Sequence, residues 1–187
     1  MPSISRKLFA IIIVSSLTLA NPAFAEHLSS EQLQQITQKA IQGDMRAQAD
    51  LAGRYHVGDG VDKDVKQAAF WYEKLADSGV AEAQLTLGLM YIRGEGIEKN
   101  DQRALHWLNL AAEQRLASAQ YLLGLAYAEG HGVQADKVKA YMWYEIAAAM
   151  DYENAVEARN ALAQQMDQAE IANAEKMATE WWMKFHH

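Results

Sequence analysis

The chain repeats itself at an offset of 36 residues, and that period limits the possible folds more than any composition value does. Three full units align: Met45 to Val80, Ala81 to Leu116 and Ala117 to Tyr152. The columns Ala47/Ala83/Ala119, Gln48/Gln84/Gln120, Leu51/Leu87/Leu123, Tyr55/Tyr91/Tyr127 and Gly58/Gly94/Gly130 recur in register. So do Gly60/Gly96/Gly132, Ala68/Ala104/Ala140, Trp71/Trp107/Trp143 and Ala76/Ala112/Ala148. A unit this short cannot bury its own apolar face, so successive units must stack and share a core.

Each unit reads as two helices joined by a glycine turn. Ala83, Leu87 and Tyr91 lie four apart with Gly88 beside them, which puts them on one stripe of a first helix. Ala104, Trp107, Leu108 and Ala112 form the matching stripe of a second helix. Gly88 and Gly124 admit a neighbouring helix at close range, a reason to accept glycine's helix penalty of about 1 kcal/mol. Between the helices stand Gly58-Asp59-Gly60-Val61, Gly94-Glu95-Gly96-Ile97 and Gly130-His131-Gly132-Val133. Glycine lets the first helix close through positive φ, and the Val or Ile that follows plugs the gap between the helices. Asp64, Asn100 and Asp136 are placed to cap the second helices, with Gln67 completing a capping-box pair in the first unit.

The ends depart from the repeat. Ser30 to Asp44 match only the second half of a unit, with Ala40 in the column of Ala76, and residues 26–44 are expected to form an N-terminal capping helix. Residues 153–187 are expected to form a C-terminal capping hairpin, in which Arg159 and Asn160 replace the Leu-Gly pair and the glycine turn is gone. Asp167 followed by Glu170 starts its last helix, whose stripe is Ile171, Ala174, Ala178, Trp181 and Trp182.

Residues 1–25 carry the pattern of a cleavable signal peptide. Arg6 and Lys7 precede the twelve apolar-rich residues Leu8 to Leu19, and Ala23-Phe24-Ala25 supplies a small-residue cleavage site. Twelve residues fall short of the roughly 20 that span a bilayer. The expected product begins at Glu26 and is periplasmic or secreted. The sequence has no cysteine, which rules out disulfide staples and an N-terminal lipidated Cys. Losing Arg6 and Lys7 takes the formal charge from −7 to −9, an acidic balance unsuited to nucleic acid.

Catalytic and metal chemistry find little support. Asp59, Asp62 and Asp64 do not follow the order of a calcium loop, and units two and three lack the same acids. His27, His56, His106, His131, His186 and His187 show no helix-ligand spacing with an acid. The Trp and Tyr columns coincide with the apolar stripes and are assigned to packing. No catalytic residue, metal ligand or cofactor site is assigned.

The string from Ala81 to Ile97 (AEAQLTLGLMYIRGEGI), then Ala104-Leu-His-Trp-Leu and Ala111-Ala-Glu-Gln, closely resembles the Sel-1-like repeat, a relative of the tetratricopeptide repeat. The resemblance covers all three units. It implies an all-α, α/α superhelical solenoid that acts as a protein-interaction scaffold, often exported in bacteria, with a protein or peptide segment as partner. Some secreted members carry a disulfide in each repeat and are described as binding or hydrolysing β-lactams. This chain has no cysteine and no Ser-x-x-K motif after its leader, so a hydrolase acting on β-lactam or peptidoglycan is the alternative rather than the expectation. A secreted factor binding a host protein is another alternative.

The tetratricopeptide likeness further implies that the first helices line a concave face. Residues off the packed stripe would then point into the groove: Arg46, Ala49, Gly53, His56 and Val57, then Glu82, Leu85, Leu89, Ile92 and Arg93, then Ser118, Tyr121, Leu125, Ala128 and Glu129. His56, Leu85, Leu89, Ile92, Arg93, Tyr121, Leu125 and Glu129 are the candidate partner-binding residues. Trp182 and Phe185 form a possible second surface. Mass spectrometry of the product recovered outside the cytoplasm is expected to show a chain starting at Glu26; a species retaining Met1 would contradict the leader assignment.

Overall fold

The computed structural model of the protein describes residues 27–185, and the proposed leader and the His186-His187 pair lie outside them. Among the described residues there are nine helices and no strand. A capping helix α1 (Ser30–Ile41) precedes the pairs α2 (Met45–Val57) and α3 (Val65–Asp77), α4 (Ala81–Arg93) and α5 (Asp101–Glu113), and α6 (Ala117–Glu129) and α7 (Lys137–Ala148). Two further helices, α8 (Glu153–Ala163) and α9 (Gln168–Phe185), close the array. Within a unit the two helices pack on each other, and each second helix packs on the first helix of the next unit. The result is the expected all-α solenoid.

The local signals act as the sequence predicts. Gly58, Gly94 and Gly130 end the first helices at φ of 84°, 67° and 77°. The side chains of Asp64, Asn100 and Asp136 accept backbone N–H bonds at the starts of α3, α5 and α7. Gln67 differs from its expected role: its backbone N–H donates to Asp64, and no bond returns from its side chain. Reciprocal capping boxes occur instead at Ser29 with Gln32 and at Asp167 with Glu170.

The buried glutamine column joins the units. Gln48, Gln84 and Gln120 donate from Nε2 to the carbonyl oxygens of Ala40, Ala76 and Ala112, at 3.0, 3.1 and 3.2 Å. Each bond runs from a first helix to the C-terminal end of the preceding second helix (α1 for Gln48), where helical carbonyls lack intrahelical partners. Gln84 Oε1 also accepts from Gln114 Nε2 at 2.8 Å. Ser78 and Met150 stand in the place of Gln114 in the other two units, and there the buried Oε1 atoms of Gln48 and Gln120 have no partner.

The turns that link one unit to the next need a left-handed residue. Gly43 and Gly79 fill that place with φ of 94° and 86°, and Arg115 and Asp151 fill it with φ of 67° and 59°. The non-glycine residues store strain there, of about 1 to 2 kcal/mol each.

Two larger core clusters follow one another along the array. One runs from Ala40 through Leu87 and Tyr91 to Ala104; the other runs from Leu105 through Leu123 and Tyr144 to Ala178. Ile92 packs on both. The two clusters part inside the second repeat, within α5: Ala104 belongs to the first and Leu105 to the second. At the C-terminal end the expected hairpin is not a simple pair: α9 lies chiefly on α7 rather than on α8.

The second glycines of the later two turns, Gly96 and Gly132, have a separate task against the previous repeat. A Cβ on Gly96 would overlap the Val65 carbonyl oxygen of the previous repeat, and φ there is 74°. In contrast, nothing lies within 4 Å of a Cβ built on Gly53, inside α2. Gly96→Ala is expected to cost about 3 kcal/mol, from the left-handed strain plus the overlap. Gly53→Ala should gain roughly 0.5–1 kcal/mol. Thermal melts of the two variants should move in opposite directions.

Candidate functional site

The candidate residues lie on the first helices α2, α4 and α6, and packing divides them. Leu85, Ile92, Tyr121 and Leu125 are half-buried against the core cluster that spans the third repeat. Tyr121 stacks between Tyr144 and Tyr152, with ring centroids 5.7 and 5.4 Å away. His56 turns its ring edge to Tyr72 at 5.7 Å and sets Nε2 3.4 Å from Glu95 Oε1. Leu89 is half-buried outside the core clusters, while Arg93 and Glu129 are exposed. Part of the expected apolar strip therefore completes packing between helices.

Three of the candidates meet at one place. Ile92, Leu125 and Glu129 line an open cavity of about 250 Å³ between α4, α5 and α6. Its walls are Ala104, Leu105, Leu108, Leu122 and Ala126, and its polar rim is Lys99, Asp101, Glu129 and His131. Lys99 Nζ is 3.7 Å from Asp101 Oδ1, and His131 Nε2 is 2.7 Å from Glu129 Oε2. His56, Leu85, Leu89, Arg93 and Tyr121 do not line it.

The repeat columns explain why the cavity sits there. Leu108 occupies the column of Tyr72 and Tyr144, and Ala126 the column of Met90 and Leu162. At the flanking interfaces the larger side chains fill the space: Met90, Tyr144 and Leu162 are buried and Tyr72 is half-buried. Leu105 for Ala69 and Leu122 for Thr86 restore only part of the lost volume in the middle. Stacking three adjacent units in register could have located this site from sequence; reading each unit alone could not.

The C-terminal candidates are largely engaged. Trp181 lies between Trp143 and Phe185, with centroids 5.7 and 4.9 Å away. Trp182 packs on the same core cluster and against Trp181, and the Arg115 guanidinium lies 5.5 Å from its ring centroid. The apolar side chain most open to solvent here is Met183, at 69 % exposure. Among the described residues no three His, Asp or Glu side chains converge in a way that could hold a metal ion. Asp64 serves as the α3 cap and Asp59 faces Arg54.

A family model described as the Sel1 repeat matches residues 46–80, 81–116 and 117–152, more than half of the chain. The chain is a Sel1-repeat protein. The Sel1-repeat fold is typically a non-catalytic scaffold that mediates protein–protein interaction. Among solved structures the chain is similar to c5321, a protective antigen present in uropathogenic Escherichia coli strains that displays an SLR fold, with 33 % identity and a TM-score of 0.72. That match covers 84 % of this chain but only 34 % of the antigen. A Sel1 repeat protein from Oxalobacter formigenes is 37 % identical with a TM-score of 0.62, over 69 % of this chain and 97 % of its own. No curated protein matches the chain.

The filled interface beside the cavity has a titration signature. Burial, reinforced by Tyr121 and Glu129, pushes the Tyr144 phenol up to about 12. An unfolded tyrosine ionises near pH ~10, so this contribution to stability is intact below that pH and is lost as pH rises toward about 12. Urea unfolding across that window is expected to show falling stability, with a shallower fall in Tyr144→Phe.

Proposed function

We propose that this Sel1-repeat protein is an exported interaction scaffold that seats a segment of another envelope or secreted protein on the concave face of its first helices, and so regulates or assembles that protein. The observation that carries this reading is the cavity at the second-to-third repeat interface, where Ile92, Leu125 and Glu129 from two first helices meet. Leu89, half-buried and outside the core clusters, is a further apolar side chain on α4. An open apolar site rimmed by charges suits an amphipathic segment better than a catalytic step. The leader pattern over residues 1–25 supports a periplasmic or secreted location. The likeness to c5321, a protective antigen, favours a second reading in which the bound protein belongs to a host.

Photo-crosslinking in cells tests the surface. A photoreactive residue replacing Leu89 is expected to trap a partner, whereas one replacing Phe70, exposed on the second helix α3, should not. The double variant Leu89→Asp with Arg93→Glu should cut recovery roughly tenfold or more with helicity unchanged. Trapping from position 70 with none from position 89 would overturn the assignment.

A further inference from the structure

We infer that the cavity between α4, α5 and α6 is a receptor for one aromatic side chain of the partner, carried on a segment with basic flanking residues. This deepens the scaffold reading and rests on it. The chain itself shows what fits. Tyr72 in the preceding interface and Tyr144 in the following one occupy the column that Leu108 leaves short. The Tyr144 ring lies directly over Gly124, so closely that a Cβ there would overlap it. Gly88 offers the same bare platform in the middle repeat, but only Leu108 covers it, with Cγ 3.0 Å from where a Cβ would be. The shorter Leu108 covers Gly88 but leaves open the space that the outer part of a tyrosine ring would fill, and Ala126 in place of Met90 widens that space.

Volume decides the size of the guest. A cavity of about 150 Å³ lined by aliphatic side chains holds one benzene. Sites for whole small ligands or cofactors begin near 300 Å³. At about 250 Å³ this space takes a single ring with its stem, which is the size of an anchor residue on a longer segment. The walls are aliphatic, so the guest must be apolar where it enters; the phenol, phenyl and indole rings all qualify.

The rim selects the flanks. Two carboxylates, Asp101 and Glu129, face one ammonium, Lys99, around the mouth, on a chain whose formal charge is −7. Lysine or arginine beside the anchor would meet Asp101 and Glu129, and the wider field would draw such a segment in.

Methyl NMR on the full exported chain, titrated with capped Gly-Lys-Xaa-Lys-Gly peptides, tests this. With tyrosine, phenylalanine or tryptophan at Xaa, saturable shifts are expected at Leu108, Leu122, Leu125 and Ala126. With alanine at Xaa, or with glutamate flanks, binding should be roughly tenfold weaker or more. Ala126→Met copies the Met90 interface and should abolish the shifts while raising the melting temperature. Leu108→Tyr is a second filling variant that restores the ring of the flanking repeats and should behave alike. Shifts that persist in both folded variants, equal binding of the alanine peptide, or free p-cresol binding as tightly as the tyrosine peptide would overturn the proposal. If these probes fail while position 89 still traps a partner, the scaffold reading stands and the ring receptor falls. If position 89 traps nothing, the scaffold reading itself fails.

Discussion

The array depends on one buried hydrogen bond made three times. A glutamine amide in an interior of alanine and leucine is costly unless it is paired, and the partner it finds is the terminal carbonyl of the preceding second helix. That single bond sets the approach of each unit to the one before it. The small residues around it, Ala40, Ala76 and Ala112, let the helices come close enough for the amide to reach. The column ends at Val156, where an apolar side chain stands in the glutamine's place, and regular stacking ends with it: α9 moves onto α7 rather than pairing with α8.

Much of this was legible in the sequence, and the parts that were not share a cause. Caps such as Asp64 and Asn100, and turn closures such as Gly58 and Gly94, depend on residues within a few positions, so local chemistry predicts them. The glutamine column was visible as a recurrence, but its bond crosses eight residues and a turn, so residue type alone did not disclose its role. Arg115 and Asp151 hide a left-handed position that glycine announces at Gly43 and Gly79, because arginine gives no signal of positive φ and aspartate a much weaker one than glycine. The candidate strip lies on α4 and α6, but Tyr121 also stacks on Tyr144 and Tyr152, a contact within the third repeat that the periodicity of a single helix does not disclose.

The cavity was the least legible feature because it consists of missing atoms. Leu108 and Ala126 are ordinary core residues when read singly; they become a site only against Tyr72 and Met90 on one side and Tyr144 and Leu162 on the other. In a one-dimensional array such a change stays local, since each unit touches only its neighbours. A Sel1-repeat scaffold can therefore hold its recurring columns constant for stability and open a binding site by shrinking one pair of side chains at one interface. The two core clusters part at Ala104 and Leu105, and both residues line this cavity.

That single-interface claim can be measured without knowing the partner. Xenon pressurisation of crystals of the protein reports apolar space large enough for a guest atom. The account predicts one strong xenon peak among Leu108, Leu122 and Ala126 and none at the equivalent positions beside Tyr72 and Tyr144. Peaks of similar height at all three interfaces, or no peak beside Leu108, would contradict it.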